Sequence, residues 1–193
     1  MTIELQILNR ELGTNQFLTK DEISAFSGIW SPFSNKRKEM ISRAGENEKY
    51  LYFVLEGIQR IYSMHAGKET VLVFTYPYSL GGVADAFLLQ EKSSFFYESL
   101  TPSRFLRTSY HQFEEISKQL PNVALFFNKQ VYRAFSGLLH RMVELQSFSS
   151  EEKFKALLKR SPHILQLVPH KYIANYLGMD PTNFSKLINT IAI

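Results

Sequence analysis

The stretch from about Asn122 to Gln146 constrains this chain more than any other. It reads as one long helix with two apolar rows. One row is Leu125, Tyr132, Phe135, Leu139 and Met142, at near-heptad spacing; the other is Phe127, Val131, Ala134, Leu138 and Leu145. A helix packed on one domain needs a single apolar stripe. Two stripes call for two partners: a neighbouring domain, and a second copy of the helix docked through Leu125, Tyr132, Phe135, Leu139 and Met142. The other reading is a helix enclosed in one large core.

The segment before the helix is β-rich. Thr19 with Glu22 has capping-box spacing, and Ile23, Phe26 and Ile29 come next on one face, so a short helix is expected there, ended by Pro32. From about Lys36 to Thr108 the period changes. Tyr50–Leu55, Ile58–Met64 and Glu69–Tyr76 read as strands separated by turns at Gly57 and Gly67. Pro77 and Leu80-Gly81-Gly82 interrupt the pattern, and Phe95–Leu100 and Arg104–Thr108 resume it. Short strands with Gly turns imply an antiparallel barrel or sandwich. Gln112–Gln119 reads as a short helix closed by Pro121.

The segment behind the helix carries a motif. Ser149 with Glu152 forms a second capping-box spacing, with helix to about Arg160 and a break at Pro162. Two short helical patterns then occupy 169–177 and 181–190 within Val168–Ile191. Ile173, Ala174 and Leu177 face inward on the first, with Pro169 in its opening turn. Gly178 supplies the left-handed residue of the turn. Asp180 caps the second helix, Pro181 takes its first position, and Phe184, Leu187 and Ile188 face inward. This is the helix-turn-helix pattern. Thr182, Asn183, Ser185, Lys186 and Asn189 remain on the second helix as groups able to reach base edges and phosphates, with Lys171 on the first. A plain helical hairpin in a packing role is the competing reading.

Charge is placed to match. Residues 1–121 hold 13 Lys/Arg and 14 Asp/Glu, net −1, whereas residues 122–193 hold 9 and 4, net +5. A basic tail suits a polyanion partner, although basic surface also serves solubility. The 193 residues contain no cysteine, which excludes disulfides, Fe–S clusters, thiolate nucleophiles and Cys-based zinc sites. Met1-Thr2-Ile3-Glu4-Leu5 lacks a basic region with an apolar run behind it, and no apolar stretch reaches the length of a membrane span. A cytoplasmic protein with no membrane partner is expected.

The two halves, in this order, resemble the cyclic-AMP receptor protein/fumarate–nitrate regulator (Crp/Fnr) superfamily. The resemblance rests on Gly45-Glu46, on Leu51–Gly57, on Gly81-Gly82 followed by Phe87 as in a phosphate-binding cassette, and on the long helix and the motif behind it. It implies a bacterial transcription regulator of α+β class. An N-terminal β-roll (a double-stranded β-helix, cyclic nucleotide-binding-like) would span 1–120, a long dimerisation helix 121–147, and a helix-turn-helix domain 148–193. It also implies a homodimer on double-stranded DNA, with recognition helices in successive major grooves about 34 Å apart. Thr182, Asn183 and Lys186 are the foremost candidates for base or phosphate contact. Where the family often has Arg and Glu at the start of the recognition helix, this chain has Pro181 and Thr182, so a different site preference is expected. The sequence ends at Ile193, short of the β-hairpin wing that many members carry.

The sensor half departs further from the family. The cassette Glu that binds the ribose and the Arg-Ser pair that binds the cyclic phosphate align with Val83, Ser93 and Ser94. Where the family's long helix offers polar groups to adenine, this one offers Leu138 and Leu139. A buried phosphate needs a charged or bidentate partner. The degenerate pocket Gly81, Gly82, Val83, Ser93, Ser94, Leu138 and Leu139 is therefore expected to have lost its charge and not to hold cyclic AMP in the usual way. No cofactor is implied, and any small-molecule effector is unknown. Ser93 and Ser94 read as turn caps, with anion binding through their backbone amides as the other reading; Lys92 reads as a loop lysine, with a substitute cation as the other. Two other classes stay open: a nucleotide-binding or other ligand-binding module with vestigial DNA binding, and a cupin-like metal barrel or enzyme. The five histidines, His65, His111, His140, His163 and His170, lack the spacing of a cupin site. No catalytic or metal-ligating residue is assigned.

Overall fold

Eight strands form two four-stranded antiparallel sheets in the computed structural model, which describes residues 2–14 and 16–190. One sheet runs β1 (Ser31–Asn35), β8 (Ser103–Ser109), β3 (Tyr50–Glu56) and β6 (Leu80–Gly81). The other runs β2 (Met40–Ser42), β7 (Phe96–Ser99), β4 (Gln59–His65) and β5 (Lys68–Thr75). The class is α+β, with a β-roll followed by a long helix. Met1, Ile191 and Ile193, on which the leader, motif and wing expectations touch, lie outside the described residues.

β3 explains its own sequence. Leu51 to Leu55 are all buried, so no polar alternation is visible. The side chains nonetheless alternate, because successive residues point to opposite faces. Leu51, Phe53 and Leu55 join the cluster formed with the helices, while Tyr52 and Val54 join the cluster inside the roll.

The helical layer against that sheet comprises α1 (Ile3–Gly13), α2 (Lys20–Gly28), α4 (Tyr110–Gln119) and the first turns of α5 (Pro121–Ser147). The Thr19–Glu22 capping box is closed in both directions, at 3.3 and 2.8 Å. This layer adds one helix that the sequence analysis does not name and corrects one expectation. α1 carries no signal that the sequence pattern revealed, although Leu8 and Leu12 bury one side of it. Pro32 does not end α2; it lies in β1, an edge strand, where its missing N–H removes no ladder bond from the sheet interior. Likewise Pro121 opens α5 as much as it closes α4.

Along α5, Val123, Phe126 and Phe127 are buried and Val131 is half-buried. Beyond that point the helix leaves the roll. The second apolar row is therefore split, because Ala134, Leu138 and Leu145 are exposed instead of packed on a neighbouring domain. The first row, Leu125, Tyr132, Phe135, Leu139 and Met142, is exposed throughout.

After α5 come α6 (Ser150–Arg160), α7 (Ile164–Leu167), α8 (His170–Tyr176) and α9 (Pro181–Thr190). α6 carries the expected Ser149–Glu152 capping box; α7 was not anticipated. These helices share one apolar cluster with the roll: Phe154, Leu157, Ile173, Leu177 and Phe184 pack together with Ile58, Tyr62, Val71 and Phe74. The cluster crosses the boundary expected at residue 148.

Candidate ligand pocket and nucleic-acid interface

The interior of the roll is filled with rings. Tyr52, Tyr97 and Phe105 are buried there with Val54, Ile61, Val83 and Ala86. Gly81 and Gly82 are glycines for a steric reason. A Cβ on Gly81 would collide with the Tyr97 hydroxyl, and Gly82 has φ +116°. Tyr97 lies 3.0 Å from Thr75 Oγ1 and donates to Gln59 Oε1 at 3.5 Å, and burial pushes its pKa up.

One titratable group lies beside these positions. Glu48, which no sequence pattern singles out, is buried in the roll beside the cassette turn. It accepts from the Ser42 hydroxyl, from the Val83 N–H at 3.4 Å and from the Tyr50 N–H at 3.4 Å. Burial pushes its carboxyl above the usual range despite these bonds. The amide of Val83, at the start of α3 (Ala84–Leu89), thus already serves a carboxyl oxygen of the protein.

Ser93 is buried and occupied with its own turn. Its N–H donates to Glu46 O at 2.8 Å and its hydroxyl to Phe95 O at 2.7 Å. Ser94 is exposed. Leu138 and Leu139 are both about half exposed on α5, beyond its last buried contacts with the roll.

At the other end, α8 and α9 meet across Gly178, at φ +66°. Met179 N donates to Ala174 O at 2.9 Å, which closes α8 over its small residue. Asp180 Oδ1 accepts from Thr182 N at 2.8 Å, and bonds to the backbone hold its carboxyl below the usual range. Ile173, Ala174, Leu177 and Phe184 are buried. Thr182, Asn183, Ser185, Lys186 and Asn189 stand outward from that core on α9, and the Ser185 hydroxyl bonds back to Pro181 O at 3.0 Å. Lys171 is exposed on α8 with its ammonium 4.7 Å from the Tyr172 ring.

Residues 33–119 match the sequence model of the cyclic nucleotide-binding domain. The structure superposes on FixK2 from Bradyrhizobium japonicum with a TM-score of 0.72 and 18% identity over 83% of each chain. A CooA variant from Carboxydothermus hydrogenoformans gives 0.67 and 16%, covering 93% of this chain and 81% of that one. A Crp/Fnr-family regulator from Eubacterium rectale gives 0.69 and 17%, covering 89% and 82%. The chain shares the fold of these structures, and residues 33–119 carry its likeness to the cyclic nucleotide-binding domain. No curated protein sequence matches it.

Within this shared fold, several residues that the sequence did not single out join roll, long helix and C-terminal helices. The Arg60 guanidinium lies 4.0 Å from the Tyr62 ring and 4.2 Å from the Tyr172 ring of α8. It is paired with Glu98 at 2.7 Å and Glu69 at 2.6 Å. Glu144 on α5 binds Arg141, at 3.3 Å, and Arg160 of α6, and Arg141 donates to Tyr176 O. Burial pushes the Glu144 carboxyl up, but the two guanidiniums outweigh it and hold the carboxyl below its usual range. No periodicity marks such groups, because their partners come from distant segments. Among the described residues, no cluster of His, Asp or Glu could hold a metal ion, and no helix is long and apolar enough to cross a membrane.

Proposed function

We propose that the chain is a DNA-binding transcription regulator of Crp/Fnr type, acting in the cytoplasm as a homodimer and not as an enzyme. The observation that carries this is the outer face of α9. Phe184 anchors the helix inward, while Thr182, Asn183, Ser185, Lys186 and Asn189 stand outward behind a capped turn. That is the arrangement of a helix that enters a major groove. The unpartnered row Leu125, Tyr132, Phe135, Leu139 and Met142 supports pairing through α5, as does the regulatory character of the Crp/Fnr-family neighbour.

The same reading holds that cyclic AMP is not the effector in the usual way. An incoming cyclic phosphate would meet Glu48 on the Val83 amide and the packed rings of Tyr52, Tyr97 and Phe105. The test is selection from a random DNA pool at two salt concentrations, without effector. Recovery of a two-fold-symmetric site, bound more weakly at higher salt, is the expected result. No enrichment at either salt, together with saturable cyclic-AMP binding, would favour a nucleotide-binding module with vestigial DNA binding.

A further inference from the structure

Ile173, Ala174 and Leu177 form the buried side of α8. Tyr172, Asn175 and Tyr176, on its other side, are each held by a residue outside the C-terminal helices. The Arg60 guanidinium of β4 lies 4.2 Å from the Tyr172 ring. The Asn175 side chain bonds the Val71 N–H and the Glu69 carbonyl of β5, at 2.7 and 2.8 Å. Arg141 of α5 donates to the Tyr176 carbonyl, and the Tyr176 ring lies 5.2 Å from that of Phe74. A single contact would leave the helix free to turn about it; grips from a strand, a sheet edge and a second helix fix its direction. α9 follows α8, because Met179 N–H closes the turn on Ala174 O at 2.9 Å and Phe184 is buried in one cluster with Ile173 and Leu177.

Arg60 is the part of this grip that packing alone does not call for. Its side chain is 3% exposed, and a buried cation is unfavourable unless its donors are met. Nε meets Glu98 at 2.7 Å, and Nη1 and Nη2 meet Glu69 at 2.6 and 3.2 Å. Apolar residues of similar volume often stabilise such a site as well. What the guanidinium adds is direction, with carboxylates along its planar fork and rings against its face. Tyr172 is thereby held at one place over β4.

We infer that Arg60 and Asn175 are positioning residues for α9: they hold it at one angle to the roll, and in the paired protein they set which half-site spacing is bound. The spacing rests on the reading of the chain as a DNA-binding dimer; the fixed angle does not. One base pair added between half-sites turns one of them by about 34° and moves it by about 3.4 Å. Two rigidly held α9 helices cannot follow that change, whereas helices on a loosened α8 can.

The chain has no cysteine, so spin labels can be attached through Ser94→Cys on the roll and Asn189→Cys on α9, both exposed. The labelled chain, diluted into its unlabelled counterpart, is measured by electron–electron double resonance without DNA. A narrow distance distribution is expected, broadened by Arg60→Lys, which keeps the charge but not the fork, and by Asn175→Ala. Tyr172→Leu tests the Arg60 contact from its half-buried side should Arg60→Lys not fold, and Tyr172→Phe, which keeps the ring, should restore the narrow distribution. On DNA, one base pair more or less between half-sites should weaken the wild type about tenfold and the loosened variants only about twofold. Affinity for an isolated half-site should not change, a split that general loss of stability would not give. Distances as narrow in the variants as in the wild type would overturn the inference, as would a spacing preference that persists in them. Narrow wild-type distances and broad variant distances, with no DNA site selected, would keep the positioning role and overturn the spacing rule together with the DNA-binding reading.

Discussion

The side-chain oxygen of Asn175 on α8 accepts the backbone N–H of Val71 on β5 at 2.7 Å. Its amide nitrogen donates to the Glu69 carbonyl at 2.8 Å, so one side chain matches the hydrogen-bonding edge of a strand that has no partner on that side. Asn175→Ala leaves the Val71 N–H without this acceptor. It should lower stability by about 1–2 kcal/mol in urea unfolding and speed hydrogen exchange at Val71. Unchanged exchange there would show that the contact contributes nothing in solution.

Glu144 ties α5 to α6 and, through Arg141, to α8. Glu144→Gln leaves the buried Arg141 without its carboxylate and should cost on the order of 3 kcal/mol at neutral pH. The sign is set by its lowered pKa. The stabilisation is present above the ordinary carboxylate pKa and is lost as pH falls through the lower, folded value. The gap between the two proteins should close on acidification, as measured by denaturant midpoints across the acid range.

Glu48 titrates in the opposite sense. Its folded pKa lies above the unfolded value, so its contribution is most favourable at low pH and is lost as pH rises from the unfolded to the folded pKa. Glu48→Gln should therefore gain on the wild type as pH rises through that window. A stability difference that stays flat with pH would place the carboxyl in a solvated setting.

The exposed row on α5 is tested by charge. Phe135→Glu, or Leu139→Glu, places a carboxylate among Tyr132, Leu138 and Met142 and should halve the mass seen in sedimentation equilibrium, with the circular dichroism unchanged. A mass that stays dimeric in both variants would assign the pairing to another surface.

Lys186→Ala removes an exposed cation from α9. It should weaken DNA binding about equally across sequences and reduce the slope of log affinity against log salt by about 1. Loss confined to one base position would instead make Lys186 a reader of sequence.

Local signals were the legible part of this fold. The boxes at Thr19–Glu22 and Ser149–Glu152, the turn at Gly178 and the cap at Asp180 each depend on residues within a few positions, and each stands where the sequence puts it. The strand runs were legible because β3 is apolar along its length and β4 and β5 are bounded by turns at Gly57 and Gly67. The sequence was less legible where the outcome depends on where an element ends its contacts. Spacing alone does not show that α5 leaves the roll's core by Val131, with Leu138 and Leu139 half exposed beyond it. Glu48 was invisible because Ser42, Tyr50 and Val83, from three separate segments, make its burial tolerable.

β3 separates two packed layers. Phe53 lies in the cluster formed with the helices, and its neighbours Tyr52 and Val54 face the filled roll. The partition is one residue thick, and close-packed interiors transmit displacement because they have little free volume to absorb it. Volume added on the helix side is therefore felt among the rings on the other side, because one strand supplies side chains to both.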